Sequence, residues 1–150
     1  MAPIIAVKNV PGKTLLLSTK QFLLIDHSNG TDLSFILKHP SNTITAINQQ
    51  QSYKPFCLLS NEYVAVCDTG KTVYLYHYQQ QQAQENKLTL IKQWRIPKNI
   101  TGMDWITDDS KANNHKVIGL LVADNSDLLL IVLSQVNQID QTLSFPKHQA

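Results

Sequence analysis

Short apolar segments separated by polar, turn-forming sequences run along the whole chain, with hardly any 3.6-residue helical period. Most segments are four to seven residues long and rich in β-branched and aromatic side chains, which favours β-strands. The predicted strands are residues 4–8, 14–18, 22–26, 33–38, 43–48, 56–60, 63–67, 72–78, 88–94, 100–105, 117–123, 128–133 and 142–145.

The polar sequences between the predicted strands indicate turns and loops. Pro11-Gly12, Asp68-Thr69-Gly70 and similar groups are typical of tight turns. Residues 79–86 and 108–115 offer no apolar face that a helix would bury, so we predict loops there. Many short strands without helices predict an all-β protein, which leaves a sandwich, a barrel or a propeller as alternatives.

Internal repeats favour the propeller. The sequence ITAI at 44–47 is followed by ITGM at 100–103, and VCDT at 66–69 is followed by VADN at 122–125. Both pairs are separated by fifty-six residues and keep the same order. The repeats predict about three four-stranded units, or blades, at about 1–40, 41–95 and 96–150.

Asp68 and Asp124 occupy equivalent places in this repeat. A catalytic carboxylate pair is one interpretation, but an acid and a base need different surroundings to separate their pKa values. Repetition favours a structural role, in which each carboxylate accepts backbone N–H groups and fixes a turn.

The third strand of each unit resembles the corresponding strand of WD-repeat propellers, which ends near Trp-Asp. Tyr76 and His77 stand at the Trp and Asp positions of one unit, and Asp26 keeps the Asp in another. The Gly-His pair expected before such a repeat is absent. The resemblance implies an incomplete WD-repeat β-propeller, a fragment of a longer chain, since a closed ring needs at least four blades and usually has about seven.

A narrower resemblance depends on KQWRI at 92–96, ITGMDW at 100–105 and LVADN at 121–125. These sequences are similar to the early blades of the WD-repeat, non-catalytic subunit of tRNA (guanine-N7) methyltransferase. Asn125-Ser126-Asp127 departs from that family, which has Lys and Gly after the Val-Ala-Asp turn. The resemblance implies a nuclear scaffold that binds a catalytic methyltransferase subunit, with tRNA held by the complex. The alternative is a general protein-interaction scaffold without an RNA role.

Charged and aromatic residues indicate where the chain could contact RNA or a protein partner. The net charge is +2, which does not indicate a dedicated nucleic-acid binder. Lys92, Arg95 and Lys98 nevertheless lie close together, near Trp94 and Trp105, and such interleaving is typical of RNA binding by stacking and phosphate contact. We expect these three cations to contact RNA or a protein partner, while the tryptophans are more simply explained by packing.

The sequence contains no motif typical of a metal site, a catalytic nucleophile or a nucleotide-binding loop. The five histidines and two cysteines lack metal-ligand spacing, and no nucleophile elbow, P-loop or dinucleotide fingerprint occurs. We therefore expect no enzyme activity, no cofactor and no metal. No apolar run approaches the roughly 20 residues that span a bilayer, and no signal peptide is evident, so we expect an intracellular protein without membrane contact and with reduced, buried cysteines.

Overall fold

A computed structural model describes residues 3–27, 43–47, 51–79, 87–109, 116–133 and 142–146. Twelve β-strands and no α-helix occur in these residues, so the prediction of an all-β fold is confirmed. The strands are β1 (Ile4–Val10), β2 (Lys13–Ser18), β3 (Gln21–Asp26), β4 (Thr43–Ile47), β5 (Tyr53–Leu59), β6 (Tyr63–Asp68), β7 (Thr72–Gln79), β8 (Lys87–Arg95), β9 (Ile100–Asp108), β10 (Lys116–Asp124), β11 (Asp127–Val132) and β12 (Thr142–Pro146). The predicted strand at 33–38 lies outside the described residues, as does most of each predicted loop.

These strands form three four-stranded sheets, and consecutive strands are neighbours in each. The first sheet contains β1 to β4, the second contains β5 to β8, and the third contains β9 to β12. Every strand pair with a described register is antiparallel. The chain divides into two compact units, residues 1–93 and 94–150.

The boundary expected near residue 40 is corrected by this topology. Residues 43–47 form β4, the last strand of the first sheet, whereas Ile100 begins β9, the first strand of the third sheet. The matching sequences at 44–47 and 100–103 therefore occupy different places in their sheets. Apolar four-residue segments recur in any β-rich sequence, because alternating or continuous apolar residues are what buried strands require.

The hairpin between β1 and β2 shows how local sequence determines the first sheet. Val10 pairs with Lys13, so the loop contains only Pro11 and Gly12. Gly12 has a φ of 85°. Proline followed by a residue of positive φ is the pattern of a type II turn, where glycine is favoured because it lacks a Cβ.

The core of the first unit lies between the first and second sheets. Leu15 and Leu17 on β2 are fully buried, whereas Leu16 between them is half-buried, as expected when alternate side chains face opposite sides of a sheet. Phe22 on β3 contacts two aromatic rings of the second sheet, with centroids 6.0 Å from Tyr53 and 5.1 Å from Tyr76. The fully or nearly buried members of this core are Leu15, Leu17, Phe22, Leu24, Tyr53, Cys57, Leu59, Val64, Val66 and Tyr78.

The second unit contains the third sheet. Leu120 and Val122 on β10 are fully buried, and Ile100 on β9 and Ile131 on β11 are each 2% exposed. The register of β9 and β10 shifts between Val117 and Gly119. A Cβ at Gly119 would lie 3.1 Å from the carbonyl oxygen of Ile131, so this irregular position leaves little room for a side chain.

Candidate functional site

Asp68 lies at the end of β6, where the chain turns into β7, and only 1% of its surface is exposed. One carboxylate oxygen accepts the backbone N–H of Thr72 at 3.0 Å, and the other accepts the hydroxyl of Tyr74 at 2.7 Å. Within the turn, the backbone N–H of Lys71 donates to the Asp68 carbonyl at 3.3 Å. The buried carboxylate therefore fixes both the turn and the first residues of the next strand.

Asp124 occupies the corresponding position of the third sheet, at the end of β10, and is 2% exposed. Its Oδ1 accepts the backbone N–H groups of Ser126 at 2.8 Å and Asp127 at 2.7 Å. In both sheets the aspartate ends the second strand, and its carboxylate binds the N–H of the first residue of the third strand. The two carboxylates thus have the same structural task in each sheet.

Ser18 has the same place in the first sheet, and sequence reasoning missed it. It ends β2, is fully buried, and its Oγ accepts the N–H of Gln21, the first residue of β3, at 3.2 Å. The same hydroxyl donates to the Gln21 carbonyl at 2.9 Å. A serine or aspartate at the end of an apolar strand, before a tight turn, is the signal that would have found it.

Tyrosines surround the Asp68 turn. Burial raises the pKa of the Tyr53 phenol and that of the Tyr76 phenol. Burial, together with the hydrogen bond to Asp68, raises the pKa of Tyr74 to about 12. All three phenols are therefore neutral hydrogen-bonding groups at physiological pH, and none is prepared to act as a base or a nucleophile.

A second buried polar contact joins the two sheets of the first unit. Asp26 is the last residue of β3, and its carboxylate accepts the hydroxyl of Tyr78, on β7. The ammonium group of Lys13 lies 5.1 Å from the centroid of the Tyr78 ring, a cation–π distance. The backbone adds a further link, since the N–H of Tyr53 donates to the Thr19 carbonyl at 2.7 Å.

The positions that resemble the Trp-Asp pair of WD repeats are occupied by packing side chains. Tyr76 is half-buried and packs edge-on against Phe22. The His77 ring lies 5.2 Å from the Tyr63 ring. In the first sheet, Asp26 makes the contact with Tyr78 described above.

The basic stretch lies on and just after β8. Lys92 is half-buried, whereas Arg95 and Lys98 are exposed. Lys92 and Arg95 are three residues apart in one strand, so their side chains point to opposite faces. Lys98 donates a hydrogen bond to the Ser126 hydroxyl. Strand geometry therefore separates Lys92 from Arg95, although the sequence brings them close.

The cysteines are free thiols and both are buried. Burial raises the pKa of Cys57, and it raises that of Cys67 to about 12. Such thiols are protonated at neutral pH and poor nucleophiles. Among the described residues no group of three or more His, Cys, Asp or Glu side chains is placed to hold a metal ion.

Comparison with known proteins adds no assignment, since no family model and no curated protein matches the sequence. In the part of the chain that the structure describes, no helix is long and apolar enough to cross a membrane.

Proposed function

We propose that this chain contributes blades to a β-propeller that acts as a non-catalytic binding scaffold. The observation that supports it best is the repeated unit: three consecutive four-stranded antiparallel sheets, each with a buried side chain fixing the turn between its second and third strands. Propellers repeat four-stranded sheets of this kind around an axis, and each repeat depends on its neighbours for burial.

The chemistry of the buried carboxylates favours a scaffold over an enzyme. Asp68 and Asp124 are almost inaccessible to solvent, and their described hydrogen bonds go to backbone N–H groups and a tyrosine hydroxyl. A general acid or base must reach a substrate proton within hydrogen-bond distance. These carboxylates therefore stabilise turns, and binding would depend on side chains at the edges and loops of the sheets.

Within the scaffold class, we favour the non-catalytic subunit of a tRNA (guanine-N7) methyltransferase complex. The resembling sequences lie on β8, β9 and β10, which are consecutive strands in the chain. In this proposal a nuclear catalytic partner binds the methyl donor, and the propeller holds the partner and tRNA in productive geometry, which raises the rate by positioning.

A general interaction scaffold without an RNA role is the second candidate. The observation that favours it is the distribution of positive charge. The net charge is only +2, and Lys92 and Arg95 point to opposite faces of β8. RNA binding by phosphate contact gains most when several cations converge on one surface.

Affinity purification of the full natural protein distinguishes these candidates. The proposed complex predicts a methyltransferase subunit and tRNA in the eluate, and N7-methylation of guanine in added tRNA only when both subunits are present. A matched Lys71→Gln variant, altered in a turn, should behave like the natural protein. Recovery of other partners, with neither methyltransferase nor tRNA, would leave the general scaffold.

A further inference from the structure

Strand β8 forms one edge of the second sheet. The order of that sheet is β5-β6-β7-β8, so within the described residues β8 has a neighbouring strand on one side only. Such an edge presents backbone N–H and C=O groups to its surroundings, and an extended peptide can pair with them as an added strand. At nine residues, β8 is as long as any strand described.

The sequence of β8 lacks two common protections of an edge strand. It contains no proline, and it is longer than the very short edge strands that avoid pairing. Leu90 in its middle is 44% exposed, and the neighbouring Thr89 is also exposed. An added strand would therefore gain both main-chain hydrogen bonds and apolar contact.

Charge indicates which strand would be accepted. Between Lys87 and Lys98 the sequence has four cationic residues and no Asp or Glu. Two copies of β8 would repel each other, because like charges on paired strands are unfavourable. An acidic segment would be attracted, and electrostatic complementarity of this kind selects partners.

The geometry of the strand favours a peptide over RNA. Lys92 and Arg95 alternate between the two faces, so they flank an added strand on both sides. Two carboxylates three residues apart on a partner strand also point to opposite faces, so each can meet one of these cations. A nucleic-acid backbone lying on one face of the sheet would meet only one of these two cations.

We propose that the outer edge of β8 binds an extended, acidic segment of a protein partner by strand addition. Main-chain hydrogen bonds supply much of the affinity, and Lys92 and Arg95 select acidic side chains. Strand addition at β8 requires neither a methyltransferase nor tRNA, so it can be tested independently of the proposed complex.

Designed peptides test the edge directly on the 150-residue chain. A fluorescein-labelled nine-residue peptide of Val and Thr, with Glu at its third and sixth positions, carries one carboxylate on each face of the added strand. This peptide should bind, measured by fluorescence anisotropy, and should bind more weakly at high salt. The same peptide with Lys in place of Glu should not bind. Lys92→Glu combined with Arg95→Glu should reverse this preference. If the chain bound neither peptide, or bound both equally, the proposal would be refuted.

Two single proline variants at adjacent positions distinguish binding through main-chain hydrogen bonds from binding through charge attraction alone. Consecutive residues of a strand direct their N–H groups to opposite edges, so only one of Thr89→Pro and Leu90→Pro removes an outward N–H. That variant should keep its melting temperature and bind the acidic peptide at least about fivefold more weakly, the effect of one lost hydrogen bond. The other should mainly lower the melting temperature.

Thr89→Ala and Leu90→Ala are the matched controls, since both keep the N–H group. Undiminished binding of the acidic peptide by both proline variants would overturn strand addition. A labelled uridine oligonucleotide that binds while the peptide does not, with equal affinity for both proline variants, would assign the cations to RNA and would also overturn it.

Discussion

Replacing Asp68 with alanine tests whether a buried polar side chain fixes the turn between the second and third strands of a sheet. The substitution removes the acceptor of the Thr72 N–H and of the Tyr74 hydroxyl. It also leaves a cavity at a site that is 1% exposed. The donors then lie in surroundings where water replaces the carboxylate poorly, so their desolvation is not compensated.

The magnitude follows from these two bonds. A hydrogen bond to a charged group contributes about 1.5–3 kcal/mol. We take the lower value for both, because Tyr74 is half-buried and its hydroxyl regains some solvation. Asp68→Ala should therefore lower the free energy of unfolding by about 3 kcal/mol. For a unit of this size the melting temperature should fall by at least about 10 °C.

Companion variants assign the loss to the proposed bonds. Tyr74→Phe removes only the hydroxyl and should cost about 1.5 kcal/mol, the value taken for this bond above. A double-mutant cycle of Asp68→Ala with Tyr74→Phe should show a coupling of about 1 kcal/mol. Glu62→Ala, at an exposed carboxylate of the same unit, is the control and should change stability by less than about 0.5 kcal/mol.

Urea and thermal unfolding, followed by circular dichroism, provide the measurements. A loss of stability in Asp68→Ala no larger than that in Glu62→Ala would refute the role of the carboxylate. Additive effects of Asp68→Ala and Tyr74→Phe would show that the carboxylate and the hydroxyl stabilise the fold separately.

Four further outcomes are expected. Ser18→Ala should destabilise the first unit by about 1 kcal/mol in urea unfolding, since it removes the equivalent turn bond. Lys71→Gly should raise the melting temperature and Lys71→Ala should not, because Lys71 has a φ of 67°, where a side chain is strained. The free energy of unfolding should fall as pH rises from about 10 to about 12, because the folded protein keeps the Tyr74 proton that the unfolded chain releases in this range. In Tyr74→Phe the fall should be less steep. Cys57 and Cys67 should react with a thiol reagent only after unfolding, because both are buried with raised pKa values.

The sequence alone predicted the strands well and the assembly of strands into sheets less well. Strand length, β-branched content and the turn residues of Pro11-Gly12 are local signals, and they survive in the structure. Assignment of residues 43–47 to the first sheet was missed, because the choice between pairing with β3 and starting a new sheet depends on contacts across a long connection.

The residues of the candidate site were also predicted only in part. The fifty-six-residue offset was enough to identify Asp68 and Asp124 as equivalent, but not Ser18, because a serine hydroxyl replaces the carboxylate there. The link between Asp26 and Tyr78 depends on how two sheets pack, which no local pattern encodes. Spacing also placed Lys92 and Arg95 together, whereas the two-residue period of a strand separates their side chains.

The repeated turns also indicate which residues the fold constrains and which residues could change without loss of stability. A position whose side chain fixes the backbone in every sheet is constrained by the fold, and changing it alters stability before it alters binding. The outer edge of β8 is not constrained in this way, because residues 88–95 are exposed or half-buried and β8 is the last strand of the second sheet. Its positive charge discourages pairing with a second copy of the same strand. The proposed scaffold would acquire specificity at such an edge, and the charge of β8 is complementary to an acidic partner.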